Sequence, residues 1–188
     1  VSLPAGGAAE DDGSARSVGV TIELPEPFGS ELSAWRARLG DPSAAQIPPH
    51  ITLLPPTKAT GPVLAKFIDH LAGVAAAHEP FTVRLSGTDT FRPVSPVVFL
   101  AVVEGAQGCA RVESEVRAGP IVRELHFPYY PHVTVAHDLP EPQLDFAFTA
   151  LAEYEAEFQA EGFALFERDR DGFWHHGREF AFGRPAGD

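Results

Sequence analysis

The chain contains no methionine, one cysteine (Cys109), two tryptophans, and 14 lysines and arginines against 26 aspartates and glutamates in 188 residues. Each shortage excludes something. A lone cysteine rules out an intrachain disulfide framework and gives no sign of dependence on an oxidising compartment. A formal net charge of −12 works against long polyanions, because nonspecific binding to nucleic acid relies on many cations neutralising phosphates. No apolar run approaches the roughly 18 residues of a membrane-spanning helix. The first residues lack the charged-then-apolar order of a secretory leader, so a cytoplasmic location is the default expectation. There is also no glycine-rich phosphate loop and no serine nucleophile elbow.

What is present is an ordinary globular composition, 44% apolar and 21% charged, long enough for one domain with a sizeable core. Residues 1–16 are rich in Ala, Gly, Ser and acidic side chains without periodicity and read as a flexible arm. Residues 17–183 read as a single domain, and 184–188 as a tail.

One device occurs twice. Pro49-His50-Ile51-Thr52-Leu53 returns as Pro131-His132-Val133-Thr134-Val135. With eight His and nine Thr in the chain, about 0.4 His-x-Thr triplets are expected by accident. Requiring a preceding Pro in both copies lowers the chance to about one in a thousand. The histidines are 82 residues apart, and the same offset carries Val18 onto Leu100, Val20 onto Val102, Leu39 onto Ile121, Phe81 onto Phe163 and Phe91 onto Phe173. This predicts a duplicated unit, about 17–95 and 96–183.

Periodicity supplies the elements. Val18 to Leu24 alternates as a half-buried strand, and Phe28, Leu32, Trp35 and Leu39 form a helical stripe ended by Gly40-Asp41-Pro42. The first motif follows on an extended segment between proline pairs. Gly61-Pro62 opens a second helix with Leu64, Phe67, Ile68, Leu71 and Val74 on one face. Phe81, Val83 and Leu85 alternate as a strand, and Val97 to Val103 is a continuous apolar run, as expected of a strand covered on both faces. Cys109, Val112 and Val116 predict a third helix, and Leu144, Phe148, Leu151, Tyr154 and Phe158 a fourth. Phe163–Phe166 and Phe173–Phe182 read as a closing strand pair around Asp171-Gly172. Each unit is thus strand, helix, motif strand, helix, strand, with the final strand extra.

On a strand, positions i and i+2 share a face. His50 therefore sides with Thr52, and His132 with Thr134, while Ile51, Leu53, Val133 and Val135 point into the core. If a twofold relates the units, four polar groups converge. One neutral imidazole can then take a proton from an attacking oxygen while an imidazolium gives one to the leaving oxygen of a phosphodiester. The hydroxyls donate to nonbridging oxygens, and the scheme calls for no metal or other cofactor.

Paired His-x-Thr motifs, each followed by an apolar residue, resemble the two-histidine (2H) phosphoesterase superfamily, most of all its 2'-5' RNA ligase and RNA 2',3'-cyclic phosphodiesterase-like branch. The resemblance covers about residues 17–183. It implies an α+β, bilobal, duplicated fold in which two pseudo-symmetric lobes with antiparallel-rich sheets surround a central cleft, with helices outside. It also implies an enzyme, a metal-independent phosphodiesterase acting on 2',3'-cyclic phosphates or 2'-5' linkages of RNA ends or small nucleotides. His50 and His132 carry over as the catalytic pair, and Thr52 and Thr134 as phosphate binders. Arg92, Arg123, Tyr129 and Tyr130 are the nearest cationic and aromatic candidates for substrate binding. The expected partner is a nucleotide or RNA end, with neither membrane nor long DNA, and the expected state is a monomer.

Two other classes stand beside this reading. One is a module that binds a nucleotide or RNA end on the same fold without turnover. The other is a zinc hydrolase using His126, His137, His175 and His176. His137 has the opposite strand parity to His132, and His70 and His78 are not four apart on their helix, so no metal site is expected.

Overall fold

The computed structural model describes residues 15–169 and 174–183. The elements in chain order are β1 (Arg16–Glu23), α1 (Phe28–Arg38), β2 (His50–Ala59), α2 (Gly61–Ala76), β3 (Phe81–Thr90) and β4 (Val97–Glu104). They continue with α3 (Ala106–Arg117), β5 (His132–His137), α4 (Glu141–Ala150), β6 (Glu155–Ala160), β7 (Gly162–Arg168) and β8 (Trp174–Ala181).

All eight strands belong to one sheet in the order β6-β3-β4-β5-β2-β1-β7-β8, and every pairing is antiparallel. The order is symmetric about its middle. The motif strands β2 and β5 meet there, flanked by β1 and β4, then by β7 and β3, then by the edge strands β8 and β6. Two pseudo-symmetric lobes therefore share a sheet, and the expected α+β fold is the one observed. The seam between the lobes is narrow, its register consisting of the pair Ile51–Val133. Irregular registers in β1–β2, β3–β4, β4–β5 and β7–β8 bend the strands as β-bulges do. Gly87, at φ +71° inside the β3 irregularity, occupies a conformation that a side chain disfavours.

One face of the sheet is the core. Val18, Val20, Ile22, Ile51, Leu53, Leu100, Val133 and Val135 are buried there with helical Leu32, Phe67, Leu71, Val112, Val116 and Leu144. The helices form because their apolar stripes have this surface to cover. In α2 the buried residues Leu64, Phe67, Leu71 and Val74 match the predicted stripe, behind a proline in its first turn.

Four expectations need correction. First, the last helix ends at Ala150, so Tyr154 lies beyond it and Phe158 belongs to β6. Ala156, Phe158 and Ala160 alternate into the core, and a spacing of four fits both one helical turn and two strand periods. Phe148 is 37% exposed rather than on the buried stripe. Second, two strands lie outside the simple unit, β6 as well as β8. Third, the constant offset holds at the motifs but not in β1: Thr21 lies opposite Thr52 and Phe99 opposite Thr134. Thr21 is thus the counterpart of Phe99, not of Val103. Register errors by an even number preserve every face, so a period-two pattern cannot detect them. Fourth, β1 begins at Arg16 rather than Val18, inside the stretch read as arm. The rest of that arm (1–14), the turn at Asp171-Gly172, Phe173 and the tail lie outside the described residues.

Candidate active site

The four motif side chains meet because of the seam. In an antiparallel pair, residues opposite one another point to the same side. Ile51 and Val133 face each other and are fully buried on the core side, so the next positions outward, His50 and Thr52 on β2 and His132 and Thr134 on β5, share the other face. Continuing the register sets His50 toward Thr134 and Thr52 toward His132. All four are half-buried.

Each imidazole is held in the same way. Nδ1 of His50 donates to the Pro48 carbonyl at 2.8 Å, and Nδ1 of His132 to the Tyr130 carbonyl at 2.7 Å. In both copies the acceptor is two residues upstream, with a buried proline, Pro49 or Pro131, between. Proline keeps the residue before it extended, which holds that carbonyl in place. Since the carbonyl can only accept, Nδ1 keeps its hydrogen and Nε2 remains as the nitrogen that exchanges protons.

Burial lowers the pKa of His50, and the nearby charges of Arg36 and His132 lower it further, against the raising influence of the Pro48 hydrogen bond. Burial also lowers that of His132, against its bond to Tyr130. Both imidazoles thus release protons more readily than a free histidine.

The surroundings differ. On the first-motif side a pocket of about 180 Å³ is walled by Gly19, Thr21, Pro48, His50, Thr52, Leu54, Phe166 and Trp174. Behind it the buried Arg36 guanidinium bonds to Asp41, Ser43 and the Ile47 carbonyl, fixing the loop that delivers Pro48. Burial opposes ionisation of Asp41, but bonds from Ser43 and Arg36 prevail and hold its carboxyl below the usual range. On the second-motif side His132 is enclosed by rings, with Phe91 and Phe99 each 5.0 Å away and Tyr130 packed on both phenylalanines.

The secondary candidates separate. Arg92 turns to α4, where it pairs with Glu141 at 2.7 Å and Asp145 at 2.8 Å. Arg123 donates to the carbonyl of Pro56, a wall residue, at 2.9 Å, which brings it beside the pocket. Tyr129 packs against the core and donates to the Thr52 carbonyl at 3.0 Å, so it braces the first motif rather than offering a ring to a ligand. Tyr130 is 48% exposed and keeps a ring face at the rim. Sequence reasoning missed Arg36, Phe99, Thr21, Phe166 and Trp174. Strand pairing brings Thr21, Phe99, Phe166 and Trp174 to the site, whereas Arg36 comes from α1, where it is buried four residues after Leu32.

The other histidines sit elsewhere. His175 pairs with Asp169 and His176 with Glu23 and Glu179, along the edge strand β8. Among the described residues the group whose ligand atoms approach within 4.8 Å of one another is Glu23, His176 and Glu179, which includes neither motif histidine. No helix of the described residues is long and apolar enough to cross a membrane.

Comparison with known proteins agrees with this architecture. A Geobacillus kaustophilus protein named as a candidate phosphoesterase is 27% identical over 158 residues, 83% of this chain and 90% of its own. Another, from Bacillus cytotoxicus, is 30% identical over 126 residues, 67% of this chain and 72% of its own. Among solved structures, E. coli LigT superposes with a TM-score of 0.65 at 19% identity, covering 90% of this chain and 99% of that one. TT0787 of Thermus thermophilus does so with 0.65 at 22%, covering 89% and 98%. LigT has also been solved with 3'-AMP, ATP, NADP+ and phosphate. The 2'-5' RNA ligase superfamily matches residues 24–172. The chain belongs to that superfamily, whose members include the two-histidine phosphoesterases.

Proposed function

We propose that this protein is a metal-independent phosphodiesterase that hydrolyses the 2',3'-cyclic phosphate, or a 2'-5' phosphodiester, of small nucleotides or RNA ends. The observation that carries the reading is the seam: two imidazoles, each with Nδ1 committed to a carbonyl, present Nε2 on one sheet face beside two threonine hydroxyls. A phosphorus held between them meets a base on one side and an acid on the other, the arrangement an in-line displacement needs. The neutral imidazole removes a proton from water as its oxygen attacks, and the imidazolium protonates the departing ribose oxygen. Thr52 and Thr134 donate to the nonbridging oxygens, where negative charge concentrates. Strand joining is the same ring opening with a 5'-hydroxyl in place of water as the nucleophile. The nucleotide complexes of LigT support a nucleotide partner, and the net charge of −12 favours short substrates, handled by a monomer. The single cysteine, buried, supports a place in the cytoplasm.

The test is turnover of the four nucleoside 2',3'-cyclic monophosphates in EDTA by the wild type, His50→Ala and His132→Ala. Hydrolysis lost in both variants supports the proposal. Hydrolysis that EDTA abolishes would instead favour a metal enzyme, and binding without turnover a recognition module.

A further inference from the structure

Glu23, His176 and Glu179 meet on the motif face of the sheet, and an irregularity in the edge strand is what brings them together. In β7–β8, Leu165 pairs with Arg178 and Phe166 with His176, so Gly177 is an extra residue on β8. Three positions apart on a regular strand, His176 and Glu179 would point to opposite faces. With Gly177 between them they pair with Phe166 and Ala164, which share a face, and so come to the same side. A Cβ on Gly177 would stand 2.8 Å from the Leu165 carbonyl oxygen, so the bulge calls for a glycine. Residue parity hides the cluster, because its two β8 members share a face only through this bulge.

Glu23 arrives from β1. It lies opposite His50, two residues beyond Thr21, and Thr21 lies opposite both Thr52 and Ala164. These positions alternate with the buried Ile22 and Ile51, so they face away from the core. Ala164, on the strand between, contributes only a methyl group to this face.

The distances suit an ion. Nε2 of His176 lies 3.0 Å from Oε2 of Glu23 and 3.5 Å from Oε1 of Glu179, and the three ligand atoms fall within 4.8 Å of one another. Ligands about 2.0–2.1 Å from a tetrahedral zinc ion are about 3.3–3.4 Å apart. A proton serves the cluster less well. Nε2 carries at most one hydrogen, which satisfies Glu23 and leaves Glu179 beside a like charge for a contact of 3.5 Å. A dication serves all three groups at once. The Phe166 ring, edge-on to the imidazole at 5.1 Å, steadies its orientation. A cavity of about 470 Å³ opens onto the cluster, with Glu23, Glu161 and Glu179 on its wall and, among the described residues, no lysine or arginine. Ions from solvent reach the three ligands through it.

We infer that Glu23, His176 and Glu179 bind a divalent transition-metal ion, zinc above all, through one imidazole nitrogen and two carboxylate oxygens. The mixed set selects zinc over magnesium and calcium, which take oxygen ligands. The ion ties the edge strand β8 across β7 to β1, one strand from the first motif. The site contains neither motif histidine, so it stands outside the proposed reaction and goes beyond it.

The experiment is calorimetric titration of the full chain, freed of metal with EDTA and dialysed, with Zn²⁺ and separately with Mg²⁺. Wild type is compared with His176→Ala, Glu179→Gln, His175→Ala and His50→Ala, with melting curves for all. Wild type takes up one Zn²⁺ per chain, at least tenfold tighter than Mg²⁺. His176→Ala weakens Zn²⁺ a hundredfold or more and Glu179→Gln about tenfold, whereas His175→Ala and His50→Ala leave it unchanged. Zn²⁺ raises the melting temperature of wild type and not that of His176→Ala. Should His176→Ala fail to fold, Glu179→Gln decides, since that side chain is 79% exposed. Absence of Zn²⁺ uptake by wild type overturns the site. So does equal affinity for Zn²⁺ and Mg²⁺, uptake that His176→Ala and Glu179→Gln preserve, or uptake that His50→Ala abolishes. Turnover of cyclic nucleotides is read separately. Zinc uptake without turnover keeps the site and removes the phosphodiesterase reading, and turnover in EDTA by a chain that takes up no zinc does the opposite.

Discussion

The two sides of the seam carry the same chemistry in different housings. Around His132 the neighbours are rings: Phe91 and Phe99 pack on the imidazole, and Tyr130 packs on both of them. Around His50 there is a pocket with an unpartnered hydroxyl, and a buried guanidinium behind it. The backbone is close to symmetric, which on the proposed reading suits a reaction with two similar groups on opposite sides of phosphorus. The surroundings are not: rings pack on one imidazole and a pocket adjoins the other. Symmetry here belongs to the ladder and direction to the side chains.

The largest effects come from removing either imidazole. His50→Ala and His132→Ala each lower kcat by about 10²- to 10⁴-fold on cyclic nucleotides, and the double variant falls little further, because acid and base act as a unit. A double variant that loses the product of the two single effects would break the equivalence of the two sides.

Next comes the seam. Ile51→Ala, which empties a fully buried site beneath the one recorded rung, destabilises the fold by about 2–5 kcal/mol in denaturant unfolding. Tyr129→Phe is milder. Losing the bond to the Thr52 carbonyl costs about 1 kcal/mol and reduces kcat more than it raises KM, since it loosens the first motif alone.

The pH profile sharpens the contrast. Turnover needs one neutral and one charged imidazole, and burial lowers both pKa values from 6.5, so kcat/KM has its maximum on the acid side of that value. The same shift makes the folded state bind fewer protons than the unfolded chain below about pH 6.5, so stability falls as pH drops through the window between the unfolded and the lowered folded pKa. A maximum at pH 8 would mean that some other group sets the rate.

The smallest effect is expected at Arg92. Its guanidinium is engaged by Glu141 and Asp145 on α4, so Arg92→Ala leaves KM for cyclic nucleotides nearly unchanged, whereas Arg123→Ala, beside the pocket, raises it a few-fold. Steady-state kinetics on the two variants decides the order.

The motif pair was legible in the sequence because its information is local: two residues on a strand share a face whatever the fold, and a repeated device implies a meeting point. The stripe of α2 was legible for the same reason. β6 was not, since Tyr154 and Phe158 satisfy helical and strand spacing equally, and the β1 register was not, since faces survive an even slip. Thr21, Phe166 and Trp174 reach the pocket from three strands. Phe166 pairs with Gly19 only after β7 crosses to lie beside β1. No spacing rule encodes that adjacency, and the acidic composition gave no hint of an aromatic pocket.

A single sheet runs through both lobes, so the two imidazoles are held by the strands that meet at the Ile51–Val133 rung rather than by the closing of a hinge. The molecule resembles a gauge block more than a pair of jaws. A gauge block does not grip; it admits what fits. On the proposed reading, selectivity then resides in the walls beside the seam rather than in the rung itself.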